Sequence, residues 1–281
     1  MTIKTLDSFA KTATLDQKRL RRAFAKQNPF ANNKGDFLPA IAEELLSRLE
    51  IIRFSPQRIL NLGQRDGRIG EGLRSLFPQA QQFSMCIAPP PYAHSPQLSR
   101  CRPLCGDLSR LPYANQSFDC IISNLALHWS PRLTTSLKEI RRVLRPDGLL
   151  LFSIMGFDTL QELKICQTHL DEIHYGKIWP RLLTYPTMHQ LGDTMANSGL
   201  IQGVADRECF KIYLNDPFEL LTQLKKMGTG NHHLDRPPGL TGKGYLKELV
   251  HLYRQRFTQQ NGQIPVTLEI LFGHAWSKPT P

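Results

Sequence analysis

The sequence predicts an α/β protein with an open, mostly parallel sheet. Two observations indicate this class: short apolar runs alternate with helical patterns along residues 58–155, and the first run ends in a glycine turn. Alternation at this spacing implies right-handed crossover connections and parallel strands. Because ligands of such sheets bind at the carboxyl ends of the strands, we expect a crevice there.

The first half of the chain supplies most of the predicted sheet. Residues 36–50 space their apolar positions as a helix does, with Pro39 tolerated in the first turn. Five strands are predicted after it, at 58–63, 82–87, 102–105, 118–124 and 149–155. Helices are predicted at 68–77, which Pro78 ends, and at 133–144, which Pro146-Asp147-Gly148 ends.

After Met155 the pattern changes to longer elements. Helices are predicted at 159–171, 187–198, 217–227 and 243–260, and strands at 201–214 and 264–276. A helical insertion therefore lies between the last two strands, and we expect it to cover the crevice as a lid. The predicted organisation is an N-terminal helical arm (1–50), a core (51–214), the lid (215–262), and the final strand with a tail (263–281).

Length and composition fit one large core with a small lid. The chain has 281 residues, of which 41% are hydrophobic and 21% charged. No run has the apolar length of a membrane helix, and the first residues lack a secretory signal, so we expect a cytoplasmic protein. The six cysteines show no zinc spacing, which predicts reduced thiols and no metal site.

The chain is basic, with a formal net charge of +11 from 35 basic and 24 acidic residues. Excess positive charge attracts acidic partners, either nucleic acid or an acidic carrier protein. The sequence has no zinc finger and no alternation of basic and aromatic residues, so it lacks the patterns that favour nucleic acid. A basic, solvated surface without a partner is the other interpretation of the same charge.

Four segments fall at the predicted carboxyl ends of the strands, and thus around one crevice. They are Gly63–Gly67, Cys86–Pro89, Asp107 and Ser123–Trp129. A strand, a glycine turn and a helix bring backbone close to a ligand, because glycine has no side chain in the way. Two glycines also occur in many purely structural turns, so this signal is weak alone and gains weight from the strands that follow.

The order of motifs resembles a known family. G-x-x-x-G, then G-D-L-x-x-L-P, S-F-D, S-N-L-A-L-H-W and a helix ending in R-P-D-G are similar to the class I S-adenosylmethionine (SAM) methyltransferases. The chain most closely resembles the malonyl-acyl-carrier-protein O-methyltransferases of biotin synthesis, the BioC family, from about residue 22 to residue 276. The resemblance implies a Rossmann-like fold with seven strands, SAM as methyl donor, and a malonyl thioester on an acidic acyl carrier protein as substrate.

The resemblance carries over unevenly to the cofactor loop. Gly63 and Gly67 match the family, whereas Asn61 stands in place of an acid and Arg65 in place of a glycine. The family also places an acid at the end of the second strand to bind the ribose hydroxyls, where this chain has Cys86 or a neighbour. Hydrogen bonds to charged groups contribute about 1.5–3 kcal/mol each. We therefore hypothesise that SAM binding is weak or lost, unless the loop shifts and other polar side chains replace the missing contacts.

The remaining implied site residues match the family. Asp107 would accept a hydrogen bond from the adenine amino group. The donor pocket would be lined by Asn124, Leu125, His128 and Trp129. Trp129 is interpreted as an aromatic wall beside the sulfonium, or alternatively as a packing residue. No catalytic residue is identified, because a carboxylate is already a nucleophile and His128 has no proton to remove.

Two other functions remain open. The altered first loop favours a degenerate relative that acts as a binding or assembly protein. The segment 157–163 (FDTLQEL) also resembles a mitochondrial complex I assembly factor of the same fold, which hydroxylates an arginine. Near the lid, Lys225, Lys226 and Lys243 are expected to meet the carrier protein. His232 and His233 are expected to pack in the lid and not to bind metal.

Overall fold

The computed structural model describes residues 15–26, 38–63, 67–89, 104–239 and 241–279. In these residues seven strands form one sheet in the order β3-β2-β1-β4-β5-β7-β6. The strands are β1 (Arg58–Leu62), β2 (Gln81–Cys86), β3 (Leu104–Cys105), β4 (Phe118–Asn124), β5 (Leu144–Met155), β6 (Ile201–Leu214) and β7 (Ile264–Trp276). The first five strands are parallel, and β7 runs antiparallel between β5 and β6. The predicted seven-stranded, mostly parallel sheet is confirmed.

The described helices agree with the predicted ones to within a few residues. They are α1 (Gln17–Ala25), α2 (Leu38–Ile51), α3 (Arg68–Leu76), α4 (Leu133–Val143), α5 (Gln161–Tyr175), α6 (Met188–Ala196), α7 (Pro217–Lys226) and α8 (Lys243–Phe257). The prediction for α5 was wrong by several residues at its end, because the helix continues until Gly176 adopts a left-handed conformation with φ 62°. No described helix is long and apolar enough to cross a membrane.

The central strands are buried on both faces, as their continuous apolar sequences require. In β1 the four residues after Arg58 are buried, and β4 is buried at five of its seven positions. β1 pairs with β2 on one side and with β4 on the other. The order of strands along the chain therefore changes direction at β1, and this is where open α/β sheets form their ligand crevice.

The outer part of the sheet is a long antiparallel hairpin of β6 and β7. α7 and α8 lie between these strands along the chain. Together with α5 they pack on the hairpin around a second hydrophobic cluster, separate from the main core, whose members include Leu163, Leu170, Leu214, Leu220, Tyr245, Leu249, Tyr253 and Val266. α5, predicted within the core, thus shares its apolar contacts with the helices of the insertion.

Candidate active site

The end of β1 lies directly against the loop that follows β4. Gly63 has φ 88°, and a Cβ added there would be 2.0 Å from the Cβ of Ala126. Its amide donates to the carbonyl of Met85 at 2.7 Å, which ties the turn to β2. Gly67 caps α3 with φ 81° and has open space around its Cβ position. Residues 64–66, among them Arg65, which stands in place of the family's glycine, lie outside the described residues.

Two buried polar groups at this edge have no hydrogen-bond partner within the described residues. Asn61 is 4% exposed and its Nδ2 is unpaired, and Ser123 is fully buried with an unpaired hydroxyl. An unsatisfied buried donor costs about 1–3 kcal/mol, so such a group calls for an explanation such as an ordered water, an ion or a ligand. Because Asn61 is in register with Ile122, its side chain and that of Ser123 lie on opposite faces of the sheet. Asn61, two residues before the glycine turn, fits a polar cofactor at the carboxyl end of β1.

The loop after β4 is held in a defined conformation by the neighbouring strand. Ser153 in β5 donates from its hydroxyl to Asn124 Oδ1 at 2.6 Å. The amide of Leu125 donates to both the carbonyl and the hydroxyl of Ser153, each at 3.1 Å. Leu125 has a left-handed φ of 48°, which is unusual for a non-glycine residue and is typical of functional loops.

Trp129 occupies a packed position behind this loop. Its side chain is 2% exposed, and its ring lies edge-on to Phe24 at 5.2 Å and to His232 at 5.9 Å. The packing interpretation of Trp129 therefore has direct support, and contact with a sulfonium stays a prediction. His232 and His233 are buried side chains of the loop between α7 and α8, and burial lowers the pKa of each.

The thiol of Cys86 lies beside a second cysteine. Cys86 is 4% exposed at the end of β2, and its Sγ is 3.6 Å from that of Cys105 in the adjacent strand. Burial, reinforced by Cys105, raises the pKa of the Cys86 thiol, so this group is uncharged at neutral pH. A neutral thiol is a weak hydrogen-bond acceptor compared with the carboxylate expected at this position.

Asp107 uses its side chain to stabilise its own turn. Its Oδ1 accepts a hydrogen bond from the amide of Ser109 at 2.8 Å, and the backbone of Asp107 bridges to Arg110. The residue is exposed at the rim next to β3. Its contact with an adenine amino group stays a prediction.

The sequence did not single out Tyr185, which contacts the predicted pocket residue His128, or Lys164, which lies beside Tyr185. The ring of Tyr185 is 5.5 Å from the ring of His128. The ammonium of Lys164 is 5.8 Å from the Tyr185 ring and donates to the carbonyl of Phe157 at 2.6 Å. Burial lowers the pKa of Lys164, while Asp158 nearby opposes that shift. Nothing in the local sequence links positions 128, 164 and 185, which only the tertiary fold brings together.

Within the described residues, no cluster of histidine, cysteine or acidic side chains could hold a metal ion. The chemistry available at this edge is thus that of a polar crevice with one ammonium, several aromatic rings and unpaired amide and hydroxyl groups.

Similar proteins identify the family. The Methyltransferase domain family matches residues 60–152. The malonyl-[acyl-carrier protein] O-methyltransferase of Halorhodospira halophila is 32% identical, covering 94% of this chain and 88% of its own length. The protein of the same name from Gallionella capsiferriformans is 33% identical, over 95% of this chain and 92% of its own. The crystal structure of the YcgJ protein of Bacillus subtilis covers 86% of this chain and 100% of its own, with 15% identity and a TM-score of 0.57, which supports the fold alone.

The contact between Gly63 and Ala126 gives a stability prediction. Gly63→Ala adds a methyl group 2.0 Å from Ala126 Cβ, whereas Gly67→Ala meets no atom within 4 Å. Both changes place a side chain at positive φ, so both should lower the free energy of unfolding by about 1–2 kcal/mol. Overpacking should lower it by a further ~1–3 kcal/mol in Gly63→Ala only.

Denaturant unfolding of the two variants and of the double variant Gly63→Ala/Ala126→Gly measures the difference. The double variant removes the clashing methyl group and should recover much of the extra loss. Equal losses for Gly63→Ala and Gly67→Ala would show that the turn does not press on the β4 loop.

Proposed function

Because the chain belongs to the malonyl-[acyl-carrier protein] O-methyltransferase family, we propose that it transfers a methyl group from SAM to the free carboxylate of a malonyl thioester on acyl carrier protein, a step of biotin synthesis. The observation that carries this proposal is similarity to relatives of that name over 94% of the chain, from the cofactor turn through the lid to the last strand. The crevice at β1 and β4 supports it independently.

The proposed SAM site is formed by the strand ends. The open space around Gly67 would take the methionine part, and the unpaired side-chain amide of Asn61 lies at the end of β1 just before this turn. The ribose would lie next to the end of β2 and the adenine next to Asp107, while the loop Asn124–Trp129 closes the other side. SAM supplies an electrophilic methyl group on a sulfonium.

The chemistry asks little of the protein beyond placement. A carboxylate oxygen forms the new bond to the methyl carbon, the carbon–sulfur bond breaks, and its electron pair stays on sulfur. No proton moves, so His128 is not needed as a base. The protein then accelerates the reaction by holding the two reactants in line at short distance. Intramolecular reactions with such an orientation show large effective concentrations.

We propose Lys164 as the group that holds the substrate carboxylate. An ammonium has three donors, and Phe157 takes one of those of Lys164. The residue stands next to Tyr185, which contacts the donor loop at His128. A cation here would bind the malonyl carboxylate and lose its attraction once the carboxylate becomes an uncharged ester. Lys164 would thereby favour substrate over product.

A second candidate function is supported by the neutral thiol at position 86. Because Cys86 cannot offer a charged acceptor to ribose hydroxyls, a relative with weak SAM binding that acts as a binding or assembly factor is the alternative. An arginine-modifying activity, suggested by residues 157–163, has no additional support from the described residues.

Methyl transfer in vitro separates these functions. We expect the purified protein, SAM and malonyl-acyl carrier protein to give a carrier that is heavier by one CH2 unit, because a methyl ester replaces the free acid. Acetyl-carrier protein, which lacks the free carboxylate, is the control and should gain nothing. Failure to methylate the malonyl form under conditions where SAM binds would refute the enzyme function.

The Cys86 substitution tests the proposed ribose contact. Cys86→Asp should strengthen SAM binding, measured by calorimetry, by about one order of magnitude, because a hydrogen bond to a charged acceptor contributes about 1.5–3 kcal/mol. Cys209→Asp, at an exposed position of β6, adds the same charge away from the site and should change nothing. Micromolar affinity of the unaltered protein would disprove weakened binding, and an unchanged affinity in Cys86→Asp would remove Cys86 from the ribose site.

The role of Lys164 has its own test. Lys164→Met should raise KM for malonyl-acyl carrier protein by about tenfold or more with a smaller effect on kcat, while Lys164→Arg should keep most of the affinity. Lys177→Met removes an exposed ammonium that lies over Trp179 and serves as control. A fall in kcat alone, with KM unchanged, would contradict a role in binding the carboxylate.

A further inference from the structure

The helix α1 is strongly basic on its exposed side. Five cations of the segment 15–26 are exposed to solvent: Lys18, Arg19, Arg21, Arg22 and Lys26. We call this set the α1 basic face. Asp16 is the single acid in the segment. Within the described ranges none of the five forms an ion pair within 4.0 Å, although Asp16 interacts electrostatically with Arg19.

The opposite side of α1 is fixed to the candidate active site. Leu20 is fully buried, and the ring of Phe24 lies edge-on to Trp129 at 5.2 Å. The helix therefore covers the loop that follows β4, at the carboxyl edge of the sheet. Because its apolar side faces the site, the α1 basic face points outward next to the crevice.

The start of α1 is also attached to the loop between α7 and α8, which we call the lid loop. The amide of Asp16 donates to the carbonyl of His232 at 2.8 Å, and Leu15 forms a β-bridge with His233. The Asp16 carboxylate accepts from the amide of Arg19 at 3.0 Å and lies 3.5 Å from Arg236. These contacts lower the pKa of Asp16, chiefly through the backbone hydrogen bond. Asp16 thus caps the helix and joins it to the lid loop.

We propose that the α1 basic face is the docking surface for the acidic carrier protein, an inference that rests on the proposed function. Charge complementarity steers an acidic helix of the carrier to this face and speeds association. The face borders the crevice, so a thioester on a flexible arm reaches the carboxyl ends of β1 and β4 from there. Lys225 and Lys226 are also exposed, at the end of α7. Unlike α1, which contacts Trp129 through Phe24, they are not attached to the loop after β4 in the described part of the chain.

A second basic surface provides a matched control. A pocket lined by Lys138, Arg141, Arg142 and Lys278 lies near the end of α4 and the end of β7, at the amino edge of the parallel strands. Arg142 there is bonded to Glu139 and to the carbonyls of Leu111 and Tyr113. A carrier on this surface would be separated from the crevice by the length of a seven-residue strand, about 23 Å.

Charge reversal on the two surfaces tests the docking site. The test variant is Lys18→Glu/Arg22→Glu in α1, and the control is Lys138→Glu/Arg141→Glu in α4, with the same residue types and the same change in charge. Calorimetric titration with malonyl-acyl carrier protein at low salt should show affinity reduced about tenfold or more in the α1 variant and little changed in the control. Raising the salt should shrink the difference, since exposed charges are screened. Thermal melting confirms that both variants fold.

A small substrate separates docking from chemistry. The α1 variant should methylate a malonyl thioester of free pantetheine as fast as the unaltered protein, and lose rate only with the carrier-bound form. If the unaltered protein methylates neither, the proposed function fails, while the titration still decides whether α1 binds the carrier.

Three outcomes would overturn the docking surface. Equal losses in the α1 and α4 variants would indicate a general charge effect. Loss in Lys225→Glu/Lys226→Glu with none in the α1 variant would move the site to the lid. Binding of the α1 face to anionic phospholipid vesicles, with unchanged carrier affinity, would make it a membrane contact.

Discussion

The candidate site depends on one steric constraint, the close approach of two strand ends. The turn after β1 touches the loop after β4 at a position where any side chain would overlap Ala126. Asn61, two residues before this turn, keeps an unpaired side-chain amide within the described part of the chain. The crevice thus follows from the parallel register of β1 and β4 and from the absence of one Cβ.

Two buried carboxylates fix the other side of the site. Glu269 in β7 is 3% exposed and accepts from the amide of Asp158 at 2.8 Å. Glu162 in α5 is 5% exposed and accepts from the amide of Thr267 at 3.1 Å and from its hydroxyl. These bonds attach the turn after β5 and the start of α5 to the last strand. Lys164 lies two residues after Glu162 in α5, so its backbone is held against the sheet and not in a loop. This limits the entropy that is lost when its side chain binds an anion.

The sequence predicts the fold well because the fold is written in local patterns. Buried parallel strands give continuous apolar runs, and Pro78 follows the end of α3 as predicted. The predicted stop Pro146-Asp147-Gly148 was wrong, because α4 ends at Val143 and these residues belong to β5. The end of α5 was missed because the helix runs four residues past Asp171 to Tyr175, and Gly176 then ends it. That glycine is visible in the sequence, but nothing local distinguishes it from a glycine in an ordinary loop.

The sequence predicts those parts of the site that consist of a local motif, and not those that depend on contacts between distant segments. The glycine turn and the loop after β4 could be found in this way. The neighbour of Cys86 could not, because it depends on the register of β2 and β3, which pairs Cys86 with Cys105. Lys164 and Tyr185 were missed for the same reason: their meeting with His128 depends on tertiary packing of elements distant in sequence.

The positive charge of the chain and the cationic methyl donor are compatible because they are kept apart. The exposed cations of α1 lie on the outer side of the helix. The buried side chains of Leu20 and Trp129 and the partly buried ring of Phe24 separate them from the crevice. His232 adds no charge to this layer at neutral pH, because burial lowers its pKa. Solvent screens exposed charges over about 8 Å at physiological ionic strength, so the field of the α1 basic face extends mainly outward into water. An anionic partner therefore experiences the attraction at the surface, while the α1 cations add little to the electrostatic field inside the crevice.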